Sequence, residues 1–312
     1  MSFAIVFPGQ GSQAVGMLAA LAAEWSQVGE TFAEASDVLG YDLWRLVQAG
    51  SEADLNQTDK TQPAMLAAGI ACWRVWQVAG GPVPSLMAGH SLGEYTALVA
   101  ADALDFATAV KLVERRGQLM QAAVPEGQGA MAAILGLSDD EVVAVCAAAA
   151  EGAVVQAVNF NAPGQVVVAG SAAAVARALV LAKEAGAKRA ILLPVSVPSH
   201  CSLMRPAADE LAKVLATIEV KPPRIEILHN VDVSSHQDGA AIRLLLAQQL
   251  YQPVRWVETV QTLGKTGVTT IVECGPGKVL AGLNKRIDRD INTLPVFDAA
   301  TLQVALDLVN GA

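Results

Sequence analysis

Gly89-His90-Ser91-Leu92-Gly93 is a GxSxG pentapeptide, and its surroundings constrain this chain more than any other feature. The apolar run Pro84–Ala88 before it reads as a strand, and the run Ser91–Ala100 after it reads as a helix. Two glycines permit a strained strand-to-helix turn that lifts the serine hydroxyl clear of the backbone. The Leu92 N–H then points towards an oxygen on any carbonyl that Ser91 attacks, and the helix N-terminus stabilises the charge developing there. The blander reading is a Gly-Ser turn with Ser91 as a helix N-cap. The strand–turn–helix context favours a nucleophile, and it requires an α/β fold.

A serine nucleophile needs a base. Four histidines are available: His90, His200, His229 and His236. His90 adjoins the nucleophile, where turn geometry directs its side chain away from Ser91. His236 lies in the polar run Ser234–Asp238, which reads as a solvated loop. His200 follows Pro198-Ser199 at the start of a helical stretch, and His229 ends a short strand, so both remain candidates. No acid between Ser91 and His200 stands out from its solvated neighbours, so the third member of the set need not be a carboxylate.

Gly9-Gln10-Gly11-Ser12-Gln13-Ala14 formally matches a dinucleotide-binding turn, with Glu30 or Glu34 as the distal acid. Pro8 and two glutamines at the turn argue against that, and a first βα loop equally well offers a backbone N–H to a catalytic pocket. Arg115-Arg116 reads as two cations on a solvated helix face, one paired with Glu114. Gly275-Pro276-Gly277-Lys278 reads as a shaped βα connection.

Composition closes off other classes. Net charge is −9 and aromatic content only 4%, so nucleic-acid binding is not expected. Mean hydropathy is +0.40, yet no apolar run reaches the ~18–20 residues of a membrane span. Met1–Gln13 has no basic stretch and reaches Pro8-Gly9 at once, so a signal peptide is not expected. Cys72, Cys146, Cys201 and Cys274 are widely spaced, which points to reduced thiols, a cytoplasmic setting and no structural metal.

Strands and helices alternate along the chain. The clearest helix is read over Thr61–Val78, and another over Phe106–Ala122. Between residues 126 and 195 the order changes to strand 130–135, helix 138–150 capped by Ser138, strands 154–159 and 165–169, helix 172–185 and strand 189–193. That βαββαβ order is the ferredoxin-like arrangement. The main α/β unit is then discontinuous, comprising residues 1–125 and 196–312.

Taken together, FPGQGSQ (Phe7–Gln13), GHSLGEYTAL (Gly89–Leu98), RRGQLMQ (Arg115–Gln121), NFNAPGQVV (Asn159–Val167), VSVPSHC (Val195–Cys201), HNVD (His229–Asp232), QLYQPVRW (Gln249–Trp256) and ECGPGKVL (Glu273–Leu280) resemble the stand-alone bacterial malonyl-CoA:acyl carrier protein transacylases. The motifs occur in family order and span nearly the whole chain. The base motif reads VPSH, as in the stand-alone enzymes, where domains of large synthases usually read HAFH or YASH.

The resemblance implies an α/β-hydrolase-like core with a parallel sheet and an inserted ferredoxin-like subdomain. It also implies Ser91 as nucleophile, His200 as base and Arg116 as the clamp for the malonyl carboxylate. Gln10 and Leu92 would supply oxyanion-hole N–H groups, and the Gln249 main-chain carbonyl would orient His200. The implied reaction is ping-pong transfer from malonyl-CoA to holo-acyl carrier protein by a cytoplasmic monomer, with no bound cofactor or metal. Carriers of this type are acidic, so Lys285, Arg286 and Arg289 are candidates for a docking patch, against a plain solvated helix face. A serine thioesterase or esterase shares the elbow and is the rival reading. A dinucleotide-binding protein without acyl chemistry, or a domain that has lost its activity, are more distant ones.

Overall fold

In the computed structural model the described residues are 2–195 and 197–311; Ser196, at the expected boundary between the two units, lies outside them. The described strands, in chain order, are β1 (Phe3–Phe7), β2 (Leu86–Gly89), β3 (Gly129–Leu135), β4 (Val155–Ala162), β5 (Gln165–Ser171), β6 (Arg189–Leu192), β7 (Glu226–Leu228), β8 (Thr270–Cys274) and β9 (Asn292–Val296). Five of them make a wholly parallel sheet in the order β7-β2-β1-β8-β9. The other four make an antiparallel sheet in the order β4-β5-β3-β6.

The parallel sheet is buried on both faces, which explains why its central strand reads FAIVF without polar alternation. Phe3, Ile5 and Phe7 join Met87 and Val272 in one core, against helix Thr58–Val78. Ala4 and Val6 join Leu86, Ala88 and Ile271 in the other, with Trp256 and Leu280 from two further helices. Helix Thr58–Val78 is buried nearly all round, so it shows a weak amphipathic pattern. It begins three residues before the periodicity predicts. Gly117 on helix Phe106–Ala123 brings the two helices together: a Cβ there would lie 2.6 Å from Asp59 Cα.

The predicted βαββαβ order is present between Gly129 and Leu192, with helices Asp139–Ala150 and Ala172–Glu184 on one face of the antiparallel sheet. Ser138 caps the first of these in a reciprocal box with Glu141, as expected. The opposite face carries Met131, Val158, Val167 and Ala169. Backbone bonds fasten this unit to the main one: Val254 N–H donates to Val158 O (2.8 Å), and Phe160 N–H to Val254 O (3.0 Å). Arg286 adds bonds to Pro163 O (3.2 Å) and to the Gln165 side chain.

Some expectations shift. The helix read from Cys201 opens as a 3₁₀ turn, Ser202–Met204, and becomes α-helical at Arg205–Leu215, where Pro206 presets the first turn. Strand β9 and helix Ala299–Asn310 escape the sequence reading, and the helix face read at Lys285 and Arg286 belongs to helix Val279–Ile287. Pro295 hides β9, because a proline is tolerated only on an edge strand and β9 is one. Gly275–Lys278 is a βα connection, as read. The buried Glu273 before it accepts from the N–H groups of Leu280 (3.0 Å) and Ala281 (2.7 Å), the open end of the next helix. Burial pushes its carboxyl up to about 7, with those N–H groups acting against the rise.

Chain order reverses at β1: the path moves outward through β2 and β7, then crosses back to β8 and β9. Ligands of open parallel sheets bind beyond the strand C-termini at such a point. The loops after β1 and β2 therefore meet there, carrying Gln10 and Ser91.

Two glycine substitutions test this packing with opposite signs. Gly93→Ala places a Cβ 2.1 Å from the Phe7 carbonyl oxygen on the central strand, and overpacking of that kind should cost ~1–3 kcal/mol or more. Gly282→Ala meets no neighbour within 4 Å in helix Val279–Ile287, and should gain about 0.5–1 kcal/mol. Urea unfolding of both variants reads the signs directly; stabilisation by Gly93→Ala would contradict the close approach.

Candidate active site

The turn after β2 is a close backbone packing problem. A Cβ on Gly89 would lie 1.9 Å from the Gly93 carbonyl carbon, and one on Gly9 would lie 2.4 Å from His90 O. Ser91 sits at φ 51°, in the left-handed region, a strain of ~1–3 kcal/mol that persists only when the surroundings enforce it. They do so from three sides. Ser91 N–H donates to Asn230 Oδ1 (2.7 Å), Asn230 Nδ2 donates to Gly89 O (2.7 Å), and Gln249 Nε2 donates to Ser91 O (3.0 Å).

Of the four histidines, His200 meets Ser91. Its Nε2 lies 2.8 Å from Ser91 Oγ, and its Nδ1 lies 2.7 Å from the Gln249 main-chain carbonyl. A carbonyl only accepts, so Nδ1 carries the proton and Nε2 is the open acceptor beside the serine. Burial, followed by the nearby Arg116 charge, pushes the His200 imidazole down to about 3. His229 is instead fully buried against Glu94, Nδ1 to Oε1 at 2.7 Å. His90 bonds Asn161 Oδ1 (2.8 Å) and packs on Trp256, and His236 bonds Asp232. The choice between His200 and His229 needed this geometry.

Arg115 fits the solvated-face reading, exposed and turned to Gln118, but Arg116 does not. Arg116 is 1% exposed. Its terminal nitrogens donate to Gln62 Oε1 (2.8 Å) and Gln249 Oε1 (3.0 Å), and one lies 3.4 Å from Ser91 Oγ. Nε has no partner. A buried guanidinium beside Ser91 Oγ, held by neutral carbonyl oxygens with no carboxylate among the described residues bonded to it, has the chemistry to bind an anion.

These groups open onto a cleft of about 490 Å³ between the two sheets. Gln10 and Leu92 line it beside Ser91, and Met131 and Val167 of the antiparallel sheet form part of the opposite wall. Leu92 is the N-cap position of helix Gly93–Ala100, and the N–H groups of Gly93, Glu94 and Tyr95 after it are taken up by the carbonyls of His90, Ser91 and Leu92. The loop after β1 is not a dinucleotide turn: Gln13 folds back on the Gly11 N–H (2.6 Å), and turns rather than a helix follow at once. Of the three candidate docking cations, Arg286 is engaged with the Pro163–Gln165 turn, while Lys285 and Arg289 are exposed.

Sequence reasoning passed over Glu94, Asn230 and Gln62. Glu94 is an acid between Ser91 and His200 and is wholly buried, though it bonds neither. The one available signal was position: Glu94 falls in the first turn after the nucleophile, one turn from Ser91.

The acyl transferase domain family matches residues 4–296. The malonyl CoA-acyl carrier protein transacylase of Salmonella typhimurium is 57% identical over 304 residues, covering 97% of this chain and 98% of that protein. The Bacillus subtilis protein of the same name is 44% identical over 97% of this chain and 96% of its own length. Among solved structures, the malonyl-transacylase PlMCAT, in complex with the type II PKS acyl-carrier protein AntF, is similar at a TM-score of 0.98 and 57% identity, covering 99% of this chain and all of that one. The Coxiella burnetii malonyl CoA-acyl carrier protein transacylase matches at 0.97 and 53% identity, over 98% and 97% of the two chains. A single family match over almost the whole chain, with end-to-end relatives at this identity, shows that the chain belongs to the acyl transferase domain family, among its malonyl CoA-acyl carrier protein transacylases.

Proposed function

We propose that the chain moves a malonyl group from malonyl-CoA to the phosphopantetheine thiol of a holo-acyl carrier protein through a malonyl-Ser91 ester. The carrying observation is the juxtaposition of Ser91 Oγ, His200 Nε2 at 2.8 Å and a buried Arg116 nitrogen at 3.4 Å. His200 takes the Ser91 proton as Oγ attacks the thioester carbon, then gives that proton to the departing coenzyme A sulfur. In the second half, the carrier thiol gives its proton to His200 and attacks the ester, and Ser91 Oγ takes the proton back.

The backbone N–H groups of Gln10 and Leu92 are the oxyanion donors in this reading, and the Gln249 carbonyl holds His200 in its reactive tautomer. A carboxylate two bonds beyond the attacked carbon is within reach of Arg116, which favours malonyl over acetyl. These steps use only groups of the chain and of its substrates, so the reading calls for no cofactor.

The same proposal takes residues 1–125 and 196–312 as an α/β-hydrolase-like core and 126–195 as a ferredoxin-like subdomain. The βαββαβ order and the β4-β5-β3-β6 arrangement support the latter. A monomer in the cytoplasm, acting on soluble substrates, belongs to this reading. No helix among the described residues is long and apolar enough to cross a membrane.

Intact-protein mass spectrometry after mixing with malonyl-CoA tests the reaction. A malonyl adduct should form on the native chain, be absent from Ser91→Ala, and vanish when holo-carrier is added. Loss of the adduct to water as fast as to carrier would identify a thioesterase instead.

The pH dependence of acylation tests the base. An imidazole held down to about 3 stays neutral well below its ordinary value. The acid limb of kcat/KM should therefore fall well below pH 6.5, and a midpoint near 6.5 assigned to His200 would refute the burial argument. The sign for stability is the opposite of a salt-bridged histidine: the unfolded chain binds the His200 proton first, so stability should fall as pH drops from about 6.5 towards 3.

Arg116→Ala should lower kcat/KM for malonyl-CoA by two to four decades, the ~3–5 kcal/mol expected on removing one partner of a buried charged pair. Transfer from acetyl-CoA should hold or improve, Arg116→Lys should recover part of the loss, and Arg115→Ala should do little. Equal losses for both donors would mean that Arg116 supports the fold or binds coenzyme A.

A further inference from the structure

Glu94 is fully buried in the first turn of helix Gly93–Ala100. Its Oε1 accepts from His229 Nδ1 (2.7 Å), and its Oε2 accepts from Asn230 N–H and Gln249 Nε2 (both 2.9 Å). It does not line the cleft and bonds neither Ser91 Oγ nor His200. Its influence on the reaction passes through its neighbours.

The Gln249 carboxamide is the neighbour that matters. Its Nε2 donates to Glu94 Oε2 and to Ser91 O, and its Oε1 accepts from Arg116. The two ends of an amide are nearly equal in size, so its partners choose the orientation. Turned over, this amide would set its oxygen against the Glu94 carboxylate and its N–H against the Arg116 guanidinium, each like against like. A carboxylate can only accept, so Glu94 excludes that arrangement. His200 leans on the main-chain carbonyl of Gln249 and not on its side chain, so the side-chain orientation is separable from the base.

We infer that Glu94 is a positioning residue: it locks the Gln249 carboxamide, and through it Arg116, in the arrangement that selects an acyl group bearing a carboxylate. The inference rests on the reading of Arg116 as the carboxylate clamp. Its negative charge, one amide away from a buried guanidinium, also offsets the cost of keeping that cation out of water. Neutralising Glu94 in place removes both the lock and the charge while keeping the shape.

The test is kcat/KM for malonyl-CoA and acetyl-CoA, with holo-carrier as acceptor, in Glu94→Gln, Gln249→Leu, the double variant and Arg116→Ala, each first checked by thermal melting. Glu94→Gln should lower the malonyl-to-acetyl ratio about tenfold, the scale of one hydrogen bond to a charged group. Gln249→Leu should lower it similarly, and the double variant should fall no further than the worse single one. Equal losses for both donors in Glu94→Gln, or losses that multiply in the double variant, overturn the inference. If Glu94→Gln does not fold, Gln249→Leu decides, and an unchanged ratio in it is the refuting result. A selective loss in Arg116→Ala without one in Glu94→Gln sinks this inference alone; an unselective loss in Arg116→Ala sinks the clamp reading and this inference with it.

Discussion

The site depends on a place where main chain touches main chain. β1 and β2 are adjacent strands of the parallel sheet, and the loops leaving them pack so closely that Gly9, Gly89 and Gly93 have no room for a Cβ against the neighbouring backbone. That closeness drives Ser91 to φ 51° and stands it at the floor of the cleft. A strained serine would relax if its surroundings let it. Asn230, arriving from the far end of the chain, bonds both Ser91 N–H and Gly89 O, so the turn is held by a residue 139 positions away. The placement of Ser91 is thus a property of the packed sheet and its loops, and the pentapeptide is only its visible part.

Polar burial around that turn is extensive and nearly all paired. Arg116, Glu94, His229, Asn230, Gln249 and Gln62 are each almost or wholly buried. Arg116 and Glu94 carry opposite charges yet are joined through the Gln249 side chain rather than by direct contact. A direct bridge would occupy the guanidinium with a carboxylate of the chain itself. Inserting an amide keeps the attraction and leaves Arg116 Nε without a protein partner. Gln249 also offers its backbone carbonyl to His200, so one residue bonds His200 and Arg116 by different atoms.

The sequence by itself determined the α/β alternation, the βαββαβ unit, the elbow at Ser91 and the family, because these rest on local pattern. Five consecutive apolar residues in β1, the Ser138–Glu141 cap and glycines at fixed offsets each act within a few residues, and each reads the same in isolation as in the fold. β9 failed that test, since a strand containing Pro295 is acceptable only where the sheet happens to end.

What only the tertiary structure decided was which polar groups share the site. Along the chain His200 and His229 both stand as candidate bases, with His229 the rival; His200 meets Ser91 and His229 is sealed against Glu94. Arg115 and Arg116 differ by one helical position, about 100° round the axis, which suffices to leave one exposed and the other buried beside Ser91. Glu94 and Asn230 look like ordinary surface residues until helix Gly93–Ala100 and the loop after β7 are packed together. The physical reason is range: strands, helices and turns follow from neighbours in sequence. A buried hydrogen-bond network follows from which polar atoms the packed elements bring within ~3 Å of each other, and in this chain those contacts link residues more than a hundred positions apart.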